Sequence, residues 1–174
     1  SMEQFDVNPK ISVILNSLLQ SKDIIENIIL INNRGIWTFT SRYKKYANSQ
    51  YDFSGGTLIT QIKSYGDEIS VIPSHSQEYF YNMNDYVFSV AKNFIYDGEW
   101  KGTILIDVNV SYFGRLFDQT SIPESTEAVY LTDERDYCIF SNRAWDIDTT
   151  LDLSDHPNYS IYENIPTRFN RNDY

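Results

Sequence analysis

YVFSVAKNFIYDGEWKGTILIDVNVSYFGRLF, residues 86–117, is the stretch from which the rest of the chain can be read. From 86 to 95, β-branched and aromatic residues fall at nearly every second place. Tyr96-Asp97-Gly98-Glu99 breaks the run, and 102–110 resumes it. The pattern predicts two strands joined by a polar turn, the second closing into a short helix near Ser111. One charge, Asp107, sits inside the second strand between Ile106 and Val108. An antiparallel pair with a carboxylate projecting from an otherwise apolar end is a place to hold a small ligand.

Upstream, Asn8-Pro9 supplies a capping side chain followed by proline at the first helical position. Ile11, Ile14, Leu15 and Leu18 recur at helical spacing, so 9–21 should be a helix with one apolar face. Residues 23–31 predict a strand, Asn32-Asn33-Arg34-Gly35 a turn, and 36–40 a returning strand. The segment 41–76 is polar and tyrosine-rich, with a turn at Gly55-Gly56. Within it, 57–62 reads as helix or strand and 68–73 as a short strand. A long irregular stretch between strands is more often functional than filler.

An echo runs at a constant offset of 101 residues. Residues 30–40 laid over 131–141 bring leucine, arginine and phenylalanine into coincidence, with strand, polar turn and strand aligned. Between the two copies, TSIPEST at 120–126 reads as a linker. Only 48 residues follow it, too few for a second complete module of the same kind. The tail is acidic and then Asn-rich.

Composition narrows the function classes. The 174 residues include 14 Tyr and 10 Phe, enough apolar mass for a folded, strand-rich domain. A net charge of −10 argues against a nucleic-acid partner, which needs clustered Lys and Arg. No run approaches the roughly 20 apolar residues of a membrane span, and no signal peptide opens the chain. The lone Cys138 cannot form an internal disulfide and reads as a buried spectator. No nucleophile elbow, phosphate-binding glycine loop, H-E-x-x-H or paired C-x-x-C is present, so no enzymatic role is expected. His75 and His156 read as exposed histidines. The acidic run at 146–148, with Asp152 and Asp155, lacks the glycine and glutamate of a calcium loop. No metal or cofactor is expected.

The strand "KGTILIDVNVSYFGRLF", preceded by "YVFSVAKNF", resembles the closing strands of an extracellular Cache domain. Cache domains are PAS-like sensor modules of bacterial receptors, and this form is closest to that of Gram-positive membrane histidine kinases. The resemblance covers roughly 9–117 and, more faintly, 126–150. It implies an α+β fold: a PAS-like Cache module with a central antiparallel sheet, an N-terminal helix, and part of a second PAS-like module. The implied division is 1–22 for the helix, 23–119 for the membrane-distal module, 120–126 for the linker, and 127–174 for a partial or reduced second module and tail.

The implied function is perception of a small-molecule signal for a two-component sensor histidine kinase, at the extracellular face of the bacterial cell membrane. The kinase part and the spans would lie outside this fragment. The alternatives are a chemotaxis receptor, a diguanylate cyclase, or a ligand-free dimerisation and transmission module. The implied partners are a sugar, amino acid or organic acid, and a second copy of the chain, with the N-terminal helix lining a homodimer. That helix's apolar stripe could equally cover the module's own sheet.

The candidate ligand-binding residues are Asp107, Tyr79, Tyr81, His75 and Lys92. Asp107 is either a strand-end aspartate that is solvated or caps the following helix, or a carboxylate that meets a ligand amine or hydroxyl. Amino-acid-binding Cache domains resemble this chain in carrying an aspartate on the last strand. They pair it with an arginine near a tryptophan and a tyrosine in the pocket loops, and 65–81 contains neither arginine nor tryptophan. The resemblance places Tyr79, Tyr81, His75 and Lys92 in the loop and strand that face the pocket. Tyrosines also suit sugars and small organic ligands, offering a flat apolar face with a polar tip, or they are simply core and surface rings.

Overall fold

A computed structural model describes residues 9–81, 86–112, 115, 130–132, 138–141 and 149–151. The first helix, α1 (Pro9–Ser21), buries Leu15 and Leu19. These lie four residues apart, on one line of the helix. The predicted stripe was wider, and Ile11, Ile14 and Leu18 are instead exposed, Ile14 at 64%. Arg42 anchors the helix end: its Nη2 donates to the carbonyls of Leu19 and Lys22, and its Nε to that of Ile25. A cation at the last carbonyls also complements the helix dipole.

Strands β1 (Ile25–Asn32) and β2 (Trp37–Ser41) form the expected hairpin. Asn32 organises its turn, its Oδ1 accepting from the amides of Arg34 and Ile36. The ambiguous 57–62 is part of helix α2 (Thr57–Ser64), which buries Ile59 and Ile62. Asn93 fixes the far end of α2 by donating to the carbonyls of Ile62 and Gly66.

Strand β3 (Ile69–Ser76) runs beyond the predicted 68–73 and carries Pro73. As the sheet's outer strand it tolerates proline, and its register with the next strand shifts between Ile72 and His75. Strands β4 (Tyr86–Tyr96) and β5 (Glu99–Asn109) are joined at Asp97-Gly98, with φ of 55° and 74°. Two positive φ values define the type I′ turn that matches strand twist, which is why Asp-Gly stands there.

The five strands make one antiparallel sheet in the order β2-β1-β5-β4-β3. The two hairpins thus meet through β1 and β5, 80 residues apart at Asn27 and Asp107. Alternation sends Ile28, Leu30, Ile104 and Ile106 to the α1 face. It sends Ile29, Ile31, Ala91 and Leu105 to the other, where they pack with Phe53, Ile59, Ile62, Tyr79 and Phe80. Each fully buried large side chain there contributes roughly 1.5–3 kcal/mol. Trp37 and Phe39 complete this layer edge-on, Trp37 against Phe53 at 5.2 Å and Phe39 against Phe80 at 4.7 Å.

Strands β6 (Tyr130–Thr132) and β7 (Cys138–Ser141) pair antiparallel as a separate two-stranded sheet, and β7 lies against β3. Cys138 is buried and takes part in no disulfide. The linker 120–126, Arg135, the acidic run at 146–148, Asp152, Asp155 and His156 lie outside the described residues. Among the described residues no helix is long and apolar enough to cross a membrane.

Candidate functional site

The site grows from one row across the sheet. Antiparallel register sets Asn27 of β1 beside Asp107 of β5, Asp107 beside Ser89 of β4, and Ser89 beside Ile72 of β3. Three of these four are polar and all are buried, on the face away from α1. Asp107 is fully buried, neither solvated nor capping a helix. Its Oδ2 accepts from Asn27 Nδ2 at 2.7 Å and from the Tyr79 hydroxyl at 2.8 Å, and its Oδ1 from Ser89 Oγ at 2.7 Å. Burial pushes the Asp107 carboxyl above its usual range, opposed by the Ser89, Asn27 and Tyr79 hydrogen bonds and by the charge of His75. Tyr79 is held well above 10, first by its burial and then by Asp107.

His75 joins this group from the irregular stretch of β3. Its Nδ1 donates to the Pro73 carbonyl at 2.9 Å, and its Nε2 lies 3.3 Å from Ser89 Oγ. Behind Asp107 the network continues. Asn27 Nδ2 also donates to Gln77 Oε1 at 2.9 Å, and Lys45 donates to the same oxygen. Gln77 Nε2 donates to Glu26 Oε1 at 3.2 Å, Lys45 forms an ion pair with that carboxylate, and Asn109 donates to Glu26 Oε2 at 2.6 Å. Glu26 and Asn27 are neighbours in sequence, yet both serve one network. The register shift between Ile25 and Asn27 makes this possible by breaking the usual alternation. One atom is left over, since Asn27 Oδ1 is buried without a partner.

In front of this network lies a cavity of about 900 Å³. Its walls are the approach to α2 and the helix's first turn, from Tyr51 to Leu58, together with Gln61, the stretch from Ile72 to Ser76, Glu78 and Thr150. Gly56, at the N-cap of α2, is itself part of the wall. Asp52 is held below its usual range by Ser54, whose hydroxyl and amide donate at 2.8 and 2.7 Å. Tyr51 is pushed up to about 12 by burial and by the charge of Glu78. His75 belongs to both the cavity wall and the Asp107 network; Asp107 itself lies one layer deeper. Among the described residues no group of His, Cys, Asp and Glu is placed to hold a metal.

Of the five candidate residues, the structure brings Asp107, Tyr79 and His75 together. Tyr81 is 41% exposed, its hydroxyl 3.0 Å from Ser49 Oγ and outside the cavity walls. Lys92 does not join them, because on β4 it alternates with Ala91 and Asn93 and so faces the α1 side with its partner Ile104. The reading by sequence missed Asn27, Ser89, Gln77, Lys45, Glu26 and the loop from Tyr51 to Gly56. Glu26-Asn27 set between Ile25 and Ile28, and Ser89 set between Phe88 and Val90, are polar interruptions of apolar strands and were the available signal.

No family model matches the chain, and no curated protein matches it. Solved structures do. The ligand-binding domain of the Pseudomonas aeruginosa amino-acid chemoreceptor PctB, in complex with L-glutamine, is 16% identical with a TM-score of 0.65, covering 87% of this chain and 59% of the other. The ligand-binding domain of the Pseudomonas fluorescens chemoreceptor CtaA, in complex with L-serine, is 14% identical with a TM-score of 0.60, covering 87% and 63%. That of a Campylobacter jejuni chemoreceptor, in complex with 4-methylisoleucine, is 17% identical with a TM-score of 0.56, covering 82% and 53%. The chain thus spans between about half and two thirds of these domains' length. Its five-stranded antiparallel sheet with two helices has the α+β, PAS-like fold of Cache-type chemoreceptor ligand-binding domains.

Proposed function

We propose that this chain is the ligand-binding part of a bacterial membrane receptor, perceiving a small molecule outside the cell. The observation that carries the reading is the cavity between the approach to α2 and β3. It opens in front of the buried Asp107 row, in a fold shared with domains solved in complex with L-glutamine and L-serine. Its volume suits a small organic ligand, and its walls combine an aromatic ring with a few polar groups. His75 then links an occupant to Ser89, Asp107 and Asn27, hence to three strands of the sheet. A ligand that favours one arrangement of this network would shift its population, which is what a signal requires.

The sequence pointed first to a histidine kinase, but the solved relatives are chemoreceptor domains, so a chemotaxis output has the stronger support. In this reading, 127–174 is a partial or reduced second module, supported by the 101-residue echo and the β6-β7 hairpin. The exposed Val13 and Ile14 of α1 would serve a homodimer of the parent receptor.

The test is a thermal-shift screen of amines, amino acids, sugars and organic acids on the native chain and on Gln61→Trp, which puts a bulky ring at the cavity wall. The expected result is a dose-dependent rise in Tm that is lost in the variant. No shift with any class, or the same shift in both proteins, would overturn the reading.

A further inference from the structure

We infer that the cavity selects an organic amine and does not use a ligand carboxylate, an inference that rests on the cavity being the ligand site. The described wall residues that ionise are Tyr51, Asp52, His75 and Glu78, and neither lysine nor arginine is among them. Both carboxylates are exposed at the wall, and among the described residues neither is in an ion pair. Among the described residues Asp52 accepts only from Ser54, and Glu78 Oε1 only from Ser76 Oγ at 3.4 Å, so each keeps lone pairs for an incoming donor. Tyr51 lines the same cavity as both carboxylates. Carboxylates and an aromatic face on one cavity wall are groups that can hold an ammonium.

The cationic and ring N–H groups nearest the wall are already engaged. His75 has both ring nitrogens committed, to the Pro73 carbonyl and to Ser89 Oγ. Lys63 does not line the cavity; its ammonium is engaged by the Ser54 carbonyl at 3.5 Å and by the Trp100 ring at 3.9 Å. The first turn of α2 does present partial positive charge, but a helix end carries only about half an elementary charge. Even with the charge of His75 added to it, the two carboxylates leave the wall net negative. Asp107 is not offered to an amine either, because it is fully buried behind the wall, with three protein donors already on its oxygens. The amine would therefore be met at the wall, by Asp52 and Glu78, rather than at the last strand.

Isothermal titration of the native chain with three probes of equal backbone length tests this: cadaverine, 5-aminopentanoate and glutarate, which carry two amines, one amine with one carboxylate, and two carboxylates. The expected order of affinity is cadaverine first, 5-aminopentanoate weaker, and glutarate undetectable, with cadaverine weakening as ionic strength rises. Glu78→Gln and Asp52→Asn should each weaken cadaverine roughly tenfold. Glu78 is exposed with one long hydrogen bond, so Glu78→Gln should leave the urea midpoint unchanged, while Asp52→Asn should lower it slightly through the Ser54 hydrogen bonds. If 5-aminopentanoate, glutarate or L-glutamine binds through the cavity at least as well as cadaverine, the amine inference falls while the sensor reading stands. If cadaverine binding is insensitive to both substitutions, the assignment of its site falls. If no probe binds and the wider screen is also silent, both readings fall together.

Discussion

The Tyr79 hydroxyl, from the loop after β3, donates to Oδ2 of Asp107 on β5 at 2.8 Å, and both side chains are fully buried. This bond ties the loop that follows the cavity wall to the centre of the sheet. Tyr79→Phe keeps the ring contacts with Phe53 and Phe80 but leaves Asp107 one donor short. The expected loss is about 1–3 kcal/mol, read as a lower urea midpoint with an unchanged denaturant slope.

Asp107 also sets a pH dependence. Its folded carboxyl lies above the ordinary 3.8 because burial outweighs its hydrogen bonds. In the window above pH 3.8 the folded protein therefore holds a proton that the unfolded chain has released. The stability Asp107 contributes is fully present below pH 3.8 and is lost as pH rises through the folded value. The difference in urea midpoint between the native chain and Asp107→Asn, measured from below pH 3.8 to neutrality, should show this decline. A native profile that instead rises across the window in step with the variant would contradict this.

The Lys45–Glu26 pair is buried on both sides, at 2% and 3% side-chain exposure. Lys45→Met leaves Glu26 charged in the interior and should cost about 3–5 kcal/mol. Replacing both, as Lys45→Met with Glu26→Leu, should recover much of that loss, since two apolar side chains leave no buried charge. Chemical denaturation of the single and double variants measures the difference.

Gly35 turns the first hairpin with φ of +75°, and a Cβ there would stand 2.6 Å from the Ser54 amide nitrogen. Left-handed backbone alone costs an L-residue roughly 1–2 kcal/mol, and the contact with Ser54 adds to it. Gly35→Ala should therefore lower Tm, and it should disturb the Ser54–Asp52 hydrogen bonds at the cavity wall, visible as weaker ligand binding.

The hairpins were legible in the sequence because period-2 alternation and Asp97-Gly98 are local signals. Asp107 stood out because it is a charge within an apolar strand. Its surroundings were not legible, since Asn27 lies 80 residues away and reaches it only through the β1-β5 register. Glu26 joins the same network only because a bulge breaks alternation, and nothing local announces that bulge. Lys92 was misplaced by a single step of alternation, which carries a side chain to the opposite face. The exposed Ile14 shows a similar limit: helical spacing finds an apolar stripe, but only Leu15 and Leu19 reach the sheet deeply enough to be buried.

The most direct measurement is amide chemical-shift mapping of the chain titrated in turn with cadaverine and with L-glutamine. At least one should move the amides of Gly55, Gly56, Thr57, Ser74 and His75 first, with smaller changes at Ser89 and Asp107 and none at Val13 or Ile14. Amides around the cavity that stay still with both ligands, or shifts confined to α1, would contradict the account.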